Sequence, residues 1–138
     1  MVKIVFSDKK SGRTAQLEVA KESEGMLMGK KIGEVIDGSI VGLDGFKLQI
    51  TGLSDKIGSP SRKEIDGSRK AYALLGGGPG IAGMKKGMRK RKLVRGNTIS
   101  ADTSQVNTSI TEYGSKNLDE LFPKKAETKE QAEAAEAK

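Results

Sequence analysis

Between residues 76 and 96 the chain reads GGGPGIAGMKKGMRKRKLVRG. Its first half is a glycine cluster that neither helix nor strand uses comfortably, because glycine loses the most backbone freedom on ordering. Its second half places seven Lys or Arg between Lys85 and Arg95. Like charges at i, i+3 and i+4 oppose a helix there. From residue 67 to 101 there are nine of the chain's 25 basic residues and none of its 18 acidic ones, so the remainder of the chain is net −2. Positive charge is thus focused in one place. Such a stretch repels itself and needs dense negative charge beside it, and a phosphate backbone is the densest available.

The rest of the chain must be the scaffold that holds this stretch. At 138 residues it is read as one domain with a tail: a β domain over 1–114 carrying a basic loop at 76–96, then a polar Ala/Glu/Lys tail at 115–138, solvated or partly helical. Apolar residues make up 35%, there is no Trp and there are 18 glycines, a composition suited to short strands and many turns. With no cysteine and no histidine, disulfides, thiolate metal sites and the commonest general base are excluded. No cofactor and no catalysis are expected. The first residues hold no long apolar run, so the expectation is a cytoplasmic protein with no signal peptide or membrane span.

Six strands are expected. Residues 3–7 (KIVFS) are β-branched and aromatic, 8–12 form a polar turn ending in Gly12, and 14–19 alternate, so the chain opens on a hairpin. Residues 24–29 read as a short connection. Ile32, Val35 and Ile36 are spaced for one or two helical turns, and 40–43 is short and apolar. Residues 46–50 alternate cleanly, 51–61 read as a long loop, and 69–75 form a strand that feeds the glycine cluster. Extended structure resumes at 95–100, and 106–113 is alternating and β-branched. The fold class is therefore mainly β, a small antiparallel barrel or sandwich with glycine-rich turns.

Gly78, Gly80 and Gly83 formally match G-x-G-x-x-G, and Asp102 follows at the distance of a ribose-binding acid. A dinucleotide site needs a helix to open at the last glycine, and residues 84–92 lack the apolar face for one. The reading preferred instead is a strand-to-strand loop in which Lys85, Lys86, Arg89, Lys90, Arg91, Lys92 and Arg95 hold successive phosphates. Gly78, Gly80 and Gly83 let backbone approach the phosphate ribbon closely, and Arg69 and Lys70 extend the surface. No helix-turn-helix or zinc pattern is present to read a major groove, and none of the five aromatic residues interleaves with the cations. Folded RNA, bound by shape and charge, is the partner this suits. The acids Asp37, Asp44, Asp55 and Asp66 stand beside glycine or serine in turns, where side-chain-to-backbone hydrogen bonding accounts for them without catalysis.

The run RKRKLVRGNTI at 89–99 resembles the signature of the archaeal and eukaryotic S-six family of the small ribosomal subunit, as do GLSDKIGSP at 52–60, LLGGGPG at 74–80 and QVN at 105–107. The resemblance covers about 2–114 and is similar to the archaeal form. It implies a small β-barrel and a structural constituent of the small ribosomal subunit. The implied partners are ribosomal RNA and neighbouring ribosomal proteins, with no small-molecule substrate and no membrane. The alternative is an RNA-binding assembly module or partner-binding module outside the mature ribosome, acting for instance through the tail. The chain departs from the family's pattern at Ser59 and Ser61, where Phe and Met are usual, and at Ile81, Ala82 and Gly83, where an aromatic and Arg-Pro are usual.

Overall fold

The computed structural model describes residues 2–114. The expected tail at 115–138 lies outside them.

The chain opens on the hairpin its alternation predicts: β1 (Lys3–Ser7) pairs antiparallel with β2 (Thr14–Glu18). Asp8 closes the turn by accepting from the amides of Lys10 at 2.9 Å and Ser11 at 3.1 Å. The stretch read as a connection is a helix, α1 (Lys21–Leu27). It escaped the pattern because it anchors through one apolar residue, the fully buried Leu27, and carries Gly25 inside it. Glu22 and Glu24 in its first turn suit the helix dipole, and Glu24 also accepts from the Val2 amide at 2.8 Å.

Helical turns do not form at 32–36. Instead β3 (Val35–Asp37) pairs antiparallel with β4 (Lys47–Asp55), and a 3-10 turn follows at Gly38–Val41. The spacing was ambiguous over so few residues. Ile36 is buried and Val35 is exposed, which is the alternation of a strand.

β4 continues through the stretch expected to be loop. Its alternation breaks at a bulge between Ile50 and Gly52, where the pairing with β7 (Thr103–Glu112) slips. Leu48 and Ile50 point into the core before the slip, and Leu53 and Asp55 point inward after it. A period-2 pattern read straight along the chain loses phase at Thr51 and ends the strand there. Seven strands are described rather than six, β3 being the addition; the others are β5 (Lys70–Leu75) and β6 (Lys90–Arg95), which ends where extended structure was expected to begin, at 95–100.

The main sheet has the order β2-β1-β7-β4-β3. β1 and β7 run parallel and the other neighbours run antiparallel, so the sheet is mixed rather than antiparallel throughout. β2 and β3 are its edges, and no pairing among the described residues closes it into a barrel. β7 lies at the centre because it is the longest run of β-branched and small polar residues, and Val106, Thr108, Ser109 and Ile110 are all buried. The core between sheet, helix and turn is aliphatic, built around Phe6 and Phe46. The two ends of the described chain are tied together: Tyr113 donates to Asp8 at 2.6 Å, and the Lys10 ammonium stands 4.3 Å over the Tyr113 ring. Hydrogen bonds from Ser11, Tyr113 and the Lys10 amide hold the Asp8 carboxyl well below the usual carboxylate range, and Asp8 in turn raises the Tyr113 hydroxyl.

Candidate nucleic-acid interface

β5 and β6 form a separate two-stranded antiparallel ribbon, with Lys70 opposite Arg95 and Leu75 opposite Lys90. The basic run is thus a loop only as far as Arg89. Its second half, expected as loop to residue 96, is strand. β-Branched Val94 and the pairing offered by β5 outweigh the charge repulsion that argues against regular structure, because in a strand neighbouring cations point to opposite faces.

That alternation divides the cations. Lys90 and Lys92 project on one face of the ribbon, and Arg91 projects on the other. On Arg91's face its guanidinium carbon lies 5.5 Å from the centre of the Tyr72 ring, and Tyr72 and Leu74 are exposed beside it. An aromatic among the cations was not visible in linear order. The signal was the cross-strand diagonal from Tyr72 to Arg91, which requires the register.

Arg95 is turned inward and does not join the exposed array. Its side chain is 8% exposed and its guanidinium meets the Asp55 carboxylate at 3.1 Å. It also donates to the Ser68 carbonyl at 2.9 Å and reaches Asp102 at 3.3 Å. Asp55, expected to be a turn acid, is instead the buried end of this pair, and it accepts from the Lys56 amide at 2.7 Å. Burial raises the Asp55 carboxyl, but the Lys56 amide, Arg95 and Lys70 together outweigh it and leave the group below its ordinary value. Lys70 is partly committed to the same carboxylate, at 3.4 Å. The ribbon is bolted to the sheet at this point. The Arg95 amide donates to Pro60 and the Arg62 amide to Arg95, both at 2.9 Å, while the Ser61 amide donates to Leu53 at 3.0 Å.

Two of the predicted glycines are also engaged by the protein itself. Gly78 and Gly80 adopt φ of 91° and 90°, a region that L side chains avoid. A Cβ on Gly78 would stand 2.6 Å from Nη1 of Arg62, and one on Gly80 would stand 2.8 Å from Cγ of Pro60. Arg62 donates to the carbonyls of Gly77 at 3.2 Å and Pro79 at 3.4 Å, so it organises the glycine loop from below. The close approach these glycines permit is to residues 60–62. Gly83, at φ 70°, faces open space.

Arg69, Lys85, Lys86, Arg89, Lys90, Arg91 and Lys92 are all exposed. Among the described residues no carboxylate pairs with any of them. Beneath part of this array runs a groove of about 820 Å³. Ile81, Met84 and Met88 supply its apolar wall, and Lys85, Arg89, Lys90 and Lys92 supply its charge. Sequence reasoning assigned the two methionines no role. A strand, not a helix, follows the glycine fingerprint, so the arrangement a bound pyrophosphate requires is not formed.

The family model for Ribosomal protein S6e matches residues 2–123. The chain belongs to this family. Relatives of similar length carry the name small ribosomal subunit protein eS6. One from Methanocaldococcus jannaschii is 50% identical over 120 residues, covering 87% of this chain and 89% of the relative. One from Methanosphaera stadtmanae is 44% identical over 129 residues, covering 94% and 98%. A third, from Methanocella arvoryzae, is 47% identical over 135 residues, covering 98% and 94%. The resemblance read from the basic signature thus holds along most of the chain, in its archaeal form. Membership makes the chain a structural, non-enzymatic ribosomal protein. No helix among the described residues is long and apolar enough to cross a membrane.

Proposed function

We propose that the chain is a structural constituent of the small ribosomal subunit that binds folded ribosomal RNA, working in the cytoplasm on the ribosome beside other ribosomal proteins. The observation that carries this reading is the exposed array of Lys85, Lys86, Arg89, Lys90 and Lys92, paired with no carboxylate among the described residues, on a ribbon fastened to the sheet by a buried ion pair. A cationic surface of that density is stable only beside dense negative charge, and the family's relatives are named for the small subunit. Arg91 contributes from the opposite face of the ribbon, and Arg69 widens the surface. Arg95 acts through the scaffold, and Lys70 is shared between Asp55 and the surface. Gly78 and Gly80 shape the loop that carries the cations, and the backbone at Gly83 is open to a phosphate.

The test is the salt dependence of binding to folded small-subunit RNA. Each phosphate neutralised adds roughly 0.7–0.9 to the negative slope of log K against log salt. Replacing Lys85, Lys86, Arg89, Lys90 and Lys92 by glutamine therefore flattens the slope by about 3.5–4.5. An unchanged slope and affinity in that variant, with the fold intact by circular dichroism, overturns the proposal.

A further inference from the structure

From the groove under the basic loop we infer a site for one unstacked nucleotide of the bound RNA, its base seated against Ile81, Met84 and Met88 and its phosphates held by the surrounding cations. This deepens the reading above and rests on it. Phosphate binding alone has no use for apolar side chains at the contact, yet Met88 is 55% exposed in the middle of the cations. An exposed methionine is a soft, adaptable surface for a polarizable partner. The groove's volume of about 820 Å³ lies within the range of small-ligand clefts, roughly 300–1,000 Å³.

Charge decides the occupant. The residues that form the groove include Lys85, Arg89, Lys90 and Lys92 and no acid. A peptide would need several carboxylates and an apolar anchor together to match it. A nucleotide brings both features in one unit, a flat apolar face and the phosphates that flank it. The strand geometry supports the same division. Lys90 and Lys92 stand two residues apart on the face that carries the groove, about 6.6–6.8 Å along the strand at 3.3–3.4 Å per residue. That spacing suits adjacent phosphates of a splayed strand. The glycine loop forms the opposite lip, and Arg62, through the carbonyls of Gly77 and Pro79, fixes its position. RNA bases that proteins read are mostly those already unstacked in loops and bulges, so the site selects such a nucleotide rather than creating it.

The full chain is titrated with three RNA hairpins over the same series of salt concentrations: a fully paired stem, the same stem with a one-nucleotide bulge, and that bulge made abasic. The expected order is bulge tightest, with the abasic form weaker by about tenfold, as burial of a few tens of Å² of apolar base surface requires. Met88→Gln, at an exposed position, removes most of the difference between bulged and abasic RNA and leaves the salt slope as it was. Lys90→Gln lowers the slope and keeps the difference. Equal binding of bulged and abasic RNA overturns the inference while leaving the phosphate reading standing. If Met88→Gln leaves all three affinities unchanged, the groove seats something other than a base and the inference is again overturned. If none of the three binds in a salt-dependent way, the RNA reading itself falls, and the inference falls with it.

Discussion

Replacing Asp55 by alanine removes the carboxylate facing Arg95 and leaves a guanidinium of 8% exposure without its buried counter-charge. Taking one partner out of a buried pair costs roughly 3–5 kcal/mol, because the remaining charge stays desolvated. Arg95 keeps the Ser68 carbonyl at 2.9 Å and Asp102 at 3.3 Å, which places the cost at the lower end, about 3 kcal/mol. Asp102 is the internal control. It reaches the same guanidinium, yet its own side chain is 60% exposed, and exposed pairs are worth about 0–1 kcal/mol. Urea unfolding followed by circular dichroism at neutral pH separates the two. At a slope of about 1.5 kcal/mol per molar, Asp55→Ala lowers the midpoint by about 2 M and Asp102→Ala by under about 0.7 M. The acid limb gives a second reading. The Asp55 carboxyl lies below its ordinary value in the folded chain, so its contribution is present above the unfolded pKa of about 3.9 and is lost as pH falls through the folded one. Asp55→Ala therefore has a flatter loss of stability in acid than the parent. Equal midpoint shifts for the two variants, or superimposable acid limbs for parent and Asp55→Ala, refute the claim that this pair fastens the ribbon.

Gly80→Ala meets both a φ of 90° and the Pro60 ring at 2.8 Å, and it lowers stability by about 1–3 kcal/mol, whereas Gly77→Ala, in open space, is near neutral; thermal melts compare them. Leu27→Ala removes the buried anchor of α1 and costs about 2–5 kcal/mol in urea unfolding. In a Tyr72→Phe background, ultraviolet titration places the Tyr113 hydroxyl above the ordinary value, and Asp8→Asn returns it toward about 10. Because the folded pKa is the higher one, the stabilisation from Tyr113 is complete below about pH 10 and is lost as pH rises through the folded value.

Much of the scaffold was legible in linear order. The opening hairpin and the central β7 follow from alternation and β-branched content, β5 was read as the strand that feeds the glycine cluster, and each was found within a few residues of its bounds. What failed did so for identifiable reasons. α1 holds on through Leu27 alone, which offers no periodicity to detect. β4 was cut short at the bulge, because an inserted residue inverts the phase of everything after it. The second half of the basic run was read as loop because repulsion among its charges was weighed without the pairing that β5 supplies.

The candidate site divides along the same line. Composition alone established that positive charge is concentrated between residues 67 and 101, that acids are excluded there and that histidine and cysteine chemistry is absent. These are sums over residues, and no folding can change them. Which cations face outward was decided by tertiary structure. Strand alternation sends Lys90 and Lys92 to one side and Arg91 to the other, while the phase change in β4 brings Asp55 beneath the ribbon and draws Arg95 into the interior. A charge acts on a ligand only from where its side chain ends, and that position depends on partners 40 residues away in sequence, as Asp55 is from Arg95.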